Sequence, residues 1–164
     1  MCGVAVASIM FALSPPRSLT PQPRRLASGR GSDQPCNNRT LSKMAYTVTG
    51  RGQASDEDDG TLTFTSYQAA DGTKLTLFHK RCASAARAIE FLDRQIKRAT
   101  KVVKRSQKTD RDHNVVGQRA QILVVLAGGE EVDPAVAWTE GSDYYEILSD
   151  SLCSILELER RLSP

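Results

Sequence analysis

The chain of 164 residues has only two histidines, and its four cysteines, Cys2, Cys36, Cys82 and Cys153, contain no Cys-x-x-Cys pair. No standard zinc set can be assembled from these residues, so no metal is expected. Two histidines in unrelated turns also leave no Ser-His-Asp arrangement to argue for. Long apolar runs are missing too. The best is Val4 to Leu13, ten residues, where a membrane-spanning helix needs about 20. No transmembrane segment is expected. Gly128-Gly129 is followed by two acids and a proline, which would repel phosphate, and no glycine-rich nucleotide motif occurs elsewhere. No cofactor is expected. Acidic pairs fall only in loops, so no general acid/base pair stands out. Aromatics are thin, at one Trp, four Tyr and four Phe.

What is present is uneven. The formal charge of +3 hides a split at Met44: residues 1–43 hold six of the 22 basic residues and one of the 19 acids, a balance of +5, and the remainder is −2. The first segment also holds five of the seven prolines, a composition unable to offset the entropy of ordering it. It reads as a disordered or targeting-like extension, with Met44 as an alternative start. Its apolar opening lacks a preceding Lys or Arg, so the cytoplasm is expected rather than export or an organelle. A disulfide between Cys82 and Cys153 would be open to an exported chain only. Gly50 to Gly60 carries four consecutive acids, Asp56 to Asp59, which makes 44–60 read as a flexible acidic linker. A single domain is then expected over 61–162.

Within it, Thr61 to Tyr67 and Lys74 to Lys80 alternate around Ala-Ala-Asp-Gly, a hairpin signal. A four-residue loop would set Phe64 opposite Leu77 and put Leu62, Phe64, Leu75 and Leu77 on one face, leaving Tyr67 and Phe78 together on the other. Ser84 is a suitable N-cap for a helix to about Gln107, with Ala85, Ile89, Leu92, Ile96, Ala99 and Val103 stepping by 4, 3, 4, 3, 4. Arg119 to Leu126 reads as a central strand. Ala135 to Thr139 and Tyr144 to Leu148 form a second hairpin around Gly-Ser, with Trp138 opposite Tyr145 and Val136 opposite Ile147. Ser149 or Asp150 would cap a closing helix to Leu162. The expected fold is α+β: a two-layer sandwich with a five-stranded, mainly antiparallel sheet, two helices on one face and the order β-β-α-β-β-β-α.

The surface that stands out is the basic side of the long helix: Arg87, Arg94, Lys97, Arg98, Lys101, Lys104 and Arg105. Cations along one face could follow a nucleic-acid backbone or meet an acidic protein. The bland alternative is a solvated helix face, since Lys and Arg suit exposed helix positions. Cys82, just after Lys80 and Arg81 and before the N-cap, has the positive surroundings that favour a thiolate, and His79 precedes it by three residues. No catalytic signature surrounds the pair. Asp110-x-Asp112-x-Asn114 opens like a calcium loop, but Val115 and Gln121 stand where Gly and Glu are needed. The function expected is therefore a small, soluble, non-enzymatic binding domain working through a protein partner or self-association. Nucleic-acid binding through the basic face is the alternative, and a thiol enzyme or redox sensor using Cys82 is the third reading.

Overall fold

A computed structural model describes Cys36 and residues 45–56, 60–125 and 132–162, side chains at 54–56 and 60 excepted. The readings made for the rest of residues 1–44, and for Gly128-Gly129, lie outside the described residues. The elements run β1 (Tyr46–Asp56), β2 (Gly60–Ala69), β3 (Lys74–Arg81), α1 (Ala85–Arg98), β4 (Lys101–Thr109), β5 (Val115–Val125), β6 (Val132–Glu140), β7 (Asp143–Ser149) and α2 (Leu152–Leu162). All seven strands pair antiparallel in one sheet, in the order β1-β2-β3-β7-β6-β5-β4. The expected five-stranded sheet is thus corrected to seven. One additional strand, β1, comes from the segment read as an acidic linker. The other, β4, comes from the second half of the expected long helix.

The helix stops because its chemistry changes after Arg98. Ala99 leaves helical geometry at ψ 145°, and Thr100 N–H donates to Leu123 O at 2.9 Å, handing the chain over to β5. Thr100, Val102 and Val103 are β-branched, which suits a pleated strand better than a helix. Lys97 and Arg98 occupy the last turn, where cations complement the helix dipole. The start follows expectation: Ser84 Oγ accepts from Arg87 N–H at 3.2 Å. In α2 the N-cap is Ser151 rather than Ser149 or Asp150, its Oγ accepting from Ser154 N–H at 3.3 Å.

The two hairpins differ in how their turns fix the register. Around Gly141-Ser142, with Gly141 at φ +56°, Trp138 pairs with Tyr145 and Val136 with Ile147, as the sequence suggests. Between β2 and β3, Gln68 pairs with Lys74, so five residues intervene instead of four. Ala69 N–H donates to Thr73 O, and Asp71 Oδ1 accepts from Thr73 N–H. Phe64 therefore faces Phe78, and Leu77 faces Thr65. One added residue moves every side chain of a strand to the opposite side relative to its partner, so Tyr67 and Phe78 lie on different faces.

A second correction concerns the helices. Val136, Trp138, Ile147 and Leu75 pack with Ile155 and Leu158 of α2. Ala120, Ile122, Ala135, Ala137 and Tyr144 pack with Phe91 and Leu92 of α1. Positions 135 to 138 of β6 alternate between these clusters, so the helices lie on opposite faces and the layers are helix, sheet, helix. The sheet curls around α2. Tyr46 Oη on edge strand β1 donates to Ser154 O at 3.2 Å, and Lys108 Nζ on edge strand β4 reaches Glu159 Oε1 at 3.0 Å. Seven strands laid flat would set those edges roughly 29 Å apart, too far for both to touch one helix.

Candidate functional site

The turn from α1 into β4 breaks the expected seven-residue arc into three environments. Arg87 and Arg94 of α1 line a cleft of about 350 Å³ with Lys80, Cys82, Ala83, Glu90 and Phe91. Phe91 is its floor: Lys80 Nζ lies 4.5 Å and Arg94 Cζ 5.3 Å from the ring centroid, and Arg87 is held by Glu90 at 2.8 Å. Arg105 points to the α1 face, where Asp93 takes it at 2.6 Å and Gln118 accepts a second hydrogen bond. Lys97, Arg98, Lys101 and Lys104 make the third group. All four are exposed, and none has a carboxylate within ion-pair distance among the described residues.

β4 is the last strand of the sheet and is exposed along Lys101 to Arg105. Lys101 pairs with Leu123, Lys104 with Gln121 and Ser106 with Arg119. Arg119 lies on the α2 face, since it binds Glu159, so Lys101 and Lys104 share that face. Val102 pairs with Ile122, which packs beneath α1. Val102 and Val103 are 43% and 48% exposed, so the strand presents cations on one side and a bare valine on the other.

Lys108, the next cation on the same face of the strand, is buried. It and Arg119 share Glu159 of α2, at 3.0 and 2.8 Å, and Lys108 Nζ also sits 5.2 Å from the Trp138 ring centroid. Burial pushes the Glu159 carboxyl up, but the hydrogen bond and charge of Arg119, with the charge of Lys108, outweigh this and hold it below the usual range. This cluster is structural. Residues 40 and 51 positions apart meet in it, a contact that no local pattern announces. Glu157 is similarly depressed, burial being overcome by Arg160 and Arg161.

Cys82 and His79 are not brought together. Cys82 packs against the cluster beneath α1, its N–H donating to Ser142 O. His79 stands on the α2 face, stacked on Tyr145 at 4.7 Å, with Nε2 2.9 Å from Asp143 Oδ1. Asp143 also holds Arg81 at 2.7 Å. Sequence reasoning missed this three-residue cluster because Asp143 lies in the distant hairpin. Asp110 closes a tight turn, accepting from the N–H groups of Asp112 and Asn114, while His113 takes φ 65°. No group of three or more His, Cys, Asp or Glu residues among those described is arranged to hold a metal ion. No helix among them is long and apolar enough to cross a membrane.

The disulfide joins Cys36 to Cys153, 117 residues apart, and not Cys82 to Cys153. Cys82 takes no part in this bridge. Peptide mapping without reductant is expected to recover Cys36 linked to Cys153. A disulfide joining Cys82 to Cys36 or to Cys153 would contradict this pairing.

Comparison with protein-family models, with curated proteins and with solved structures finds no match.

Proposed function

We propose that this chain is a non-enzymatic binding domain whose partner is an acidic segment of another protein, held on the basic border formed by the end of α1 and by β4. One observation carries the reading: Lys97, Arg98, Lys101 and Lys104 stand exposed within eight consecutive residues, without a carboxylate in ion-pair distance among the described residues. Like charges kept this close repel one another, and an acidic partner removes that cost and speeds encounter. The neighbouring Arg87, Arg105 and Lys108 each have a carboxylate.

Two features favour protein over nucleic acid. Val102 and Val103 are exposed within the same stretch, offering apolar contact that a phosphate backbone does not use. The described aromatic side chains are all buried or half-buried, so the border presents no ring on which a base could stack.

The test is a titration of the full chain against a labelled peptide of six Glu and six Val in alternation, beside single-stranded RNA. Lys101→Glu with Lys104→Glu is expected to weaken peptide binding at least about tenfold, with an unchanged circular dichroism spectrum. Added salt should weaken wild-type binding, because exposed charges are screened. Equal peptide affinity in the variant would refute the reading. Binding of RNA alone, lost on charge reversal, would replace the protein partner with a nucleic acid.

A further inference from the structure

We infer that the acidic partner binds in extended form and adds to β4 as an eighth strand, with acids and apolar residues alternating along it. This rests on the basic border being the contact surface, and it specifies the conformation and sequence pattern of what docks there.

The position of β4 is the first ground. It ends the sheet order and pairs on one side with β5, so its other backbone edge faces away from the sheet. A terminal strand displays a row of N–H and C=O groups on that edge, the template used when a peptide extends a sheet. The register is uninterrupted from Lys104 to Lys108, opposite Gln121 to Gly117, with irregularities between Val102 and Lys104 and between Lys108 and Thr109. That leaves five regularly paired residues, roughly 17 Å of straight edge, with Lys101 and Val102 continuing it beyond one bulge.

The second ground is the two-sided character of that edge. The bulge at Val103 keeps Lys101 and Lys104 on one face, over the successive same-face positions Leu123 and Gln121 of β5. Opposite them, an added strand would place side chains two residues apart, and both would favour carboxylates. The intervening side chains of that strand would fall on the α1 face. There they would meet Val102, Gln107 and an Arg105 already held by Asp93 and Gln118. Apolar residues suit that side. Acid and apolar residues in alternation are also the pattern of a half-buried strand, so charge and backbone geometry call for the same partner.

The third ground is selectivity. Lysines on an edge strand discourage pairing with ordinary strands, including a second basic edge of this same chain, whose Lys101 and Lys104 would face like charges. An acidic strand is spared that repulsion, so the feature that protects the edge also selects its occupant.

The experiment uses the full chain and three twelve-residue peptides. The first alternates Glu and Val. The second has the same composition with six Glu followed by six Val. The third is the alternating peptide N-methylated at every second residue, which blocks hydrogen bonding along one edge and leaves charge unchanged. The alternating peptide is expected to bind at least about tenfold more tightly than either of the others, with a 1:1 mass in solution. Equal affinity for all three would overturn strand addition while leaving the basic border as an electrostatic surface. No binding of any peptide would overturn both readings. A stable dimer of the chain that the alternating peptide leaves intact would assign the edge to a second copy and overturn the inference.

Discussion

Gly117→Ala is expected to destabilise the domain at or beyond the top of the roughly 1–3 kcal/mol range usual for overpacking. A Cβ at this position would lie 2.6 Å from the carbonyl carbon of Thr139 and 2.7 Å from its hydroxyl, and closer still to its carbonyl oxygen. The obstruction is backbone, so no rotamer change relieves it. Either β5 must move away from β6, or Thr139 must shift. Thr139 is 1% exposed, and its Oγ1 accepts from Gln118 N–H at 3.0 Å, so movement there costs a buried hydrogen bond. The neighbouring Gly141 N–H, which donates to Val116 O, would be disturbed as well. Urea unfolding should show a lower midpoint with an unchanged slope. An unaltered midpoint would mean that β5 and β6 do not approach as closely as described.

Glu159→Gln is expected to cost about 3–5 kcal/mol at neutral pH, the usual result of removing one partner from a buried ion pair. The carboxylate is 8% exposed and serves two cations, Lys108 at 10% and Arg119 at 16%. Removing its charge takes from Arg119 both of its bonds to a carboxylate, at 2.8 Å each. The same group gives stability a pH dependence of known sign. Its folded pKa lies below the ordinary value, so its contribution is complete above the unfolded carboxyl pKa and is lost as pH falls through the folded one. Wild type and Glu159→Gln should therefore differ most at neutral pH, and the gap should narrow as pH falls below the unfolded carboxyl pKa of about 4.3. A gap that stays constant with pH would show that the carboxylate is not held by these cations. Replacing Lys108 and Arg119 by Met together with Glu159→Leu should recover much of the loss, because an apolar cluster of similar volume avoids the desolvation cost.

Some of this architecture can be read directly from residues. The β6–β7 hairpin is legible because turn chemistry and hydrophobic alternation specify one register independently: Gly141 adopts the positive φ its turn requires, and Trp138 meets Tyr145. The β2–β3 hairpin shows what happens when only the alternation is clear. Its strands are evident, but the five-residue turn is set by the Ala69–Thr73 bond and the Asp71 side chain, and the Asp-Gly signal does not count residues. The faces follow the turn, so the sides occupied by the helices were not readable either.

β4 was hidden because Ile96, Ala99 and Val103 continue the helical spacing of α1, and no Gly or Pro interrupts it. Thr100 and the adjacent valines were the available sign of a strand. β1 was hidden by Gly50, Gly52 and the acids that follow. At Gly52 a Cβ would run into the Phe64 ring, so this glycine serves packing within a strand rather than flexibility in a linker. The seven basic residues singled out from sequence include the four on the border, but the grouping depended on a continuous helix. Tertiary pairing divides them among a cleft, an ion pair with Asp93 and the border formed by the end of α1 and by β4.

Amide hydrogen exchange on the full chain, with and without the alternating Glu-Val peptide, tests the central claim most directly, because it reports where an acidic strand settles. Slowed exchange concentrated in Lys101–Thr109, and absent in the Lys101→Glu, Lys104→Glu variant, is the predicted result. Protection elsewhere, with β4 exchanging as in the free chain, would contradict the assignment of this edge as the binding surface.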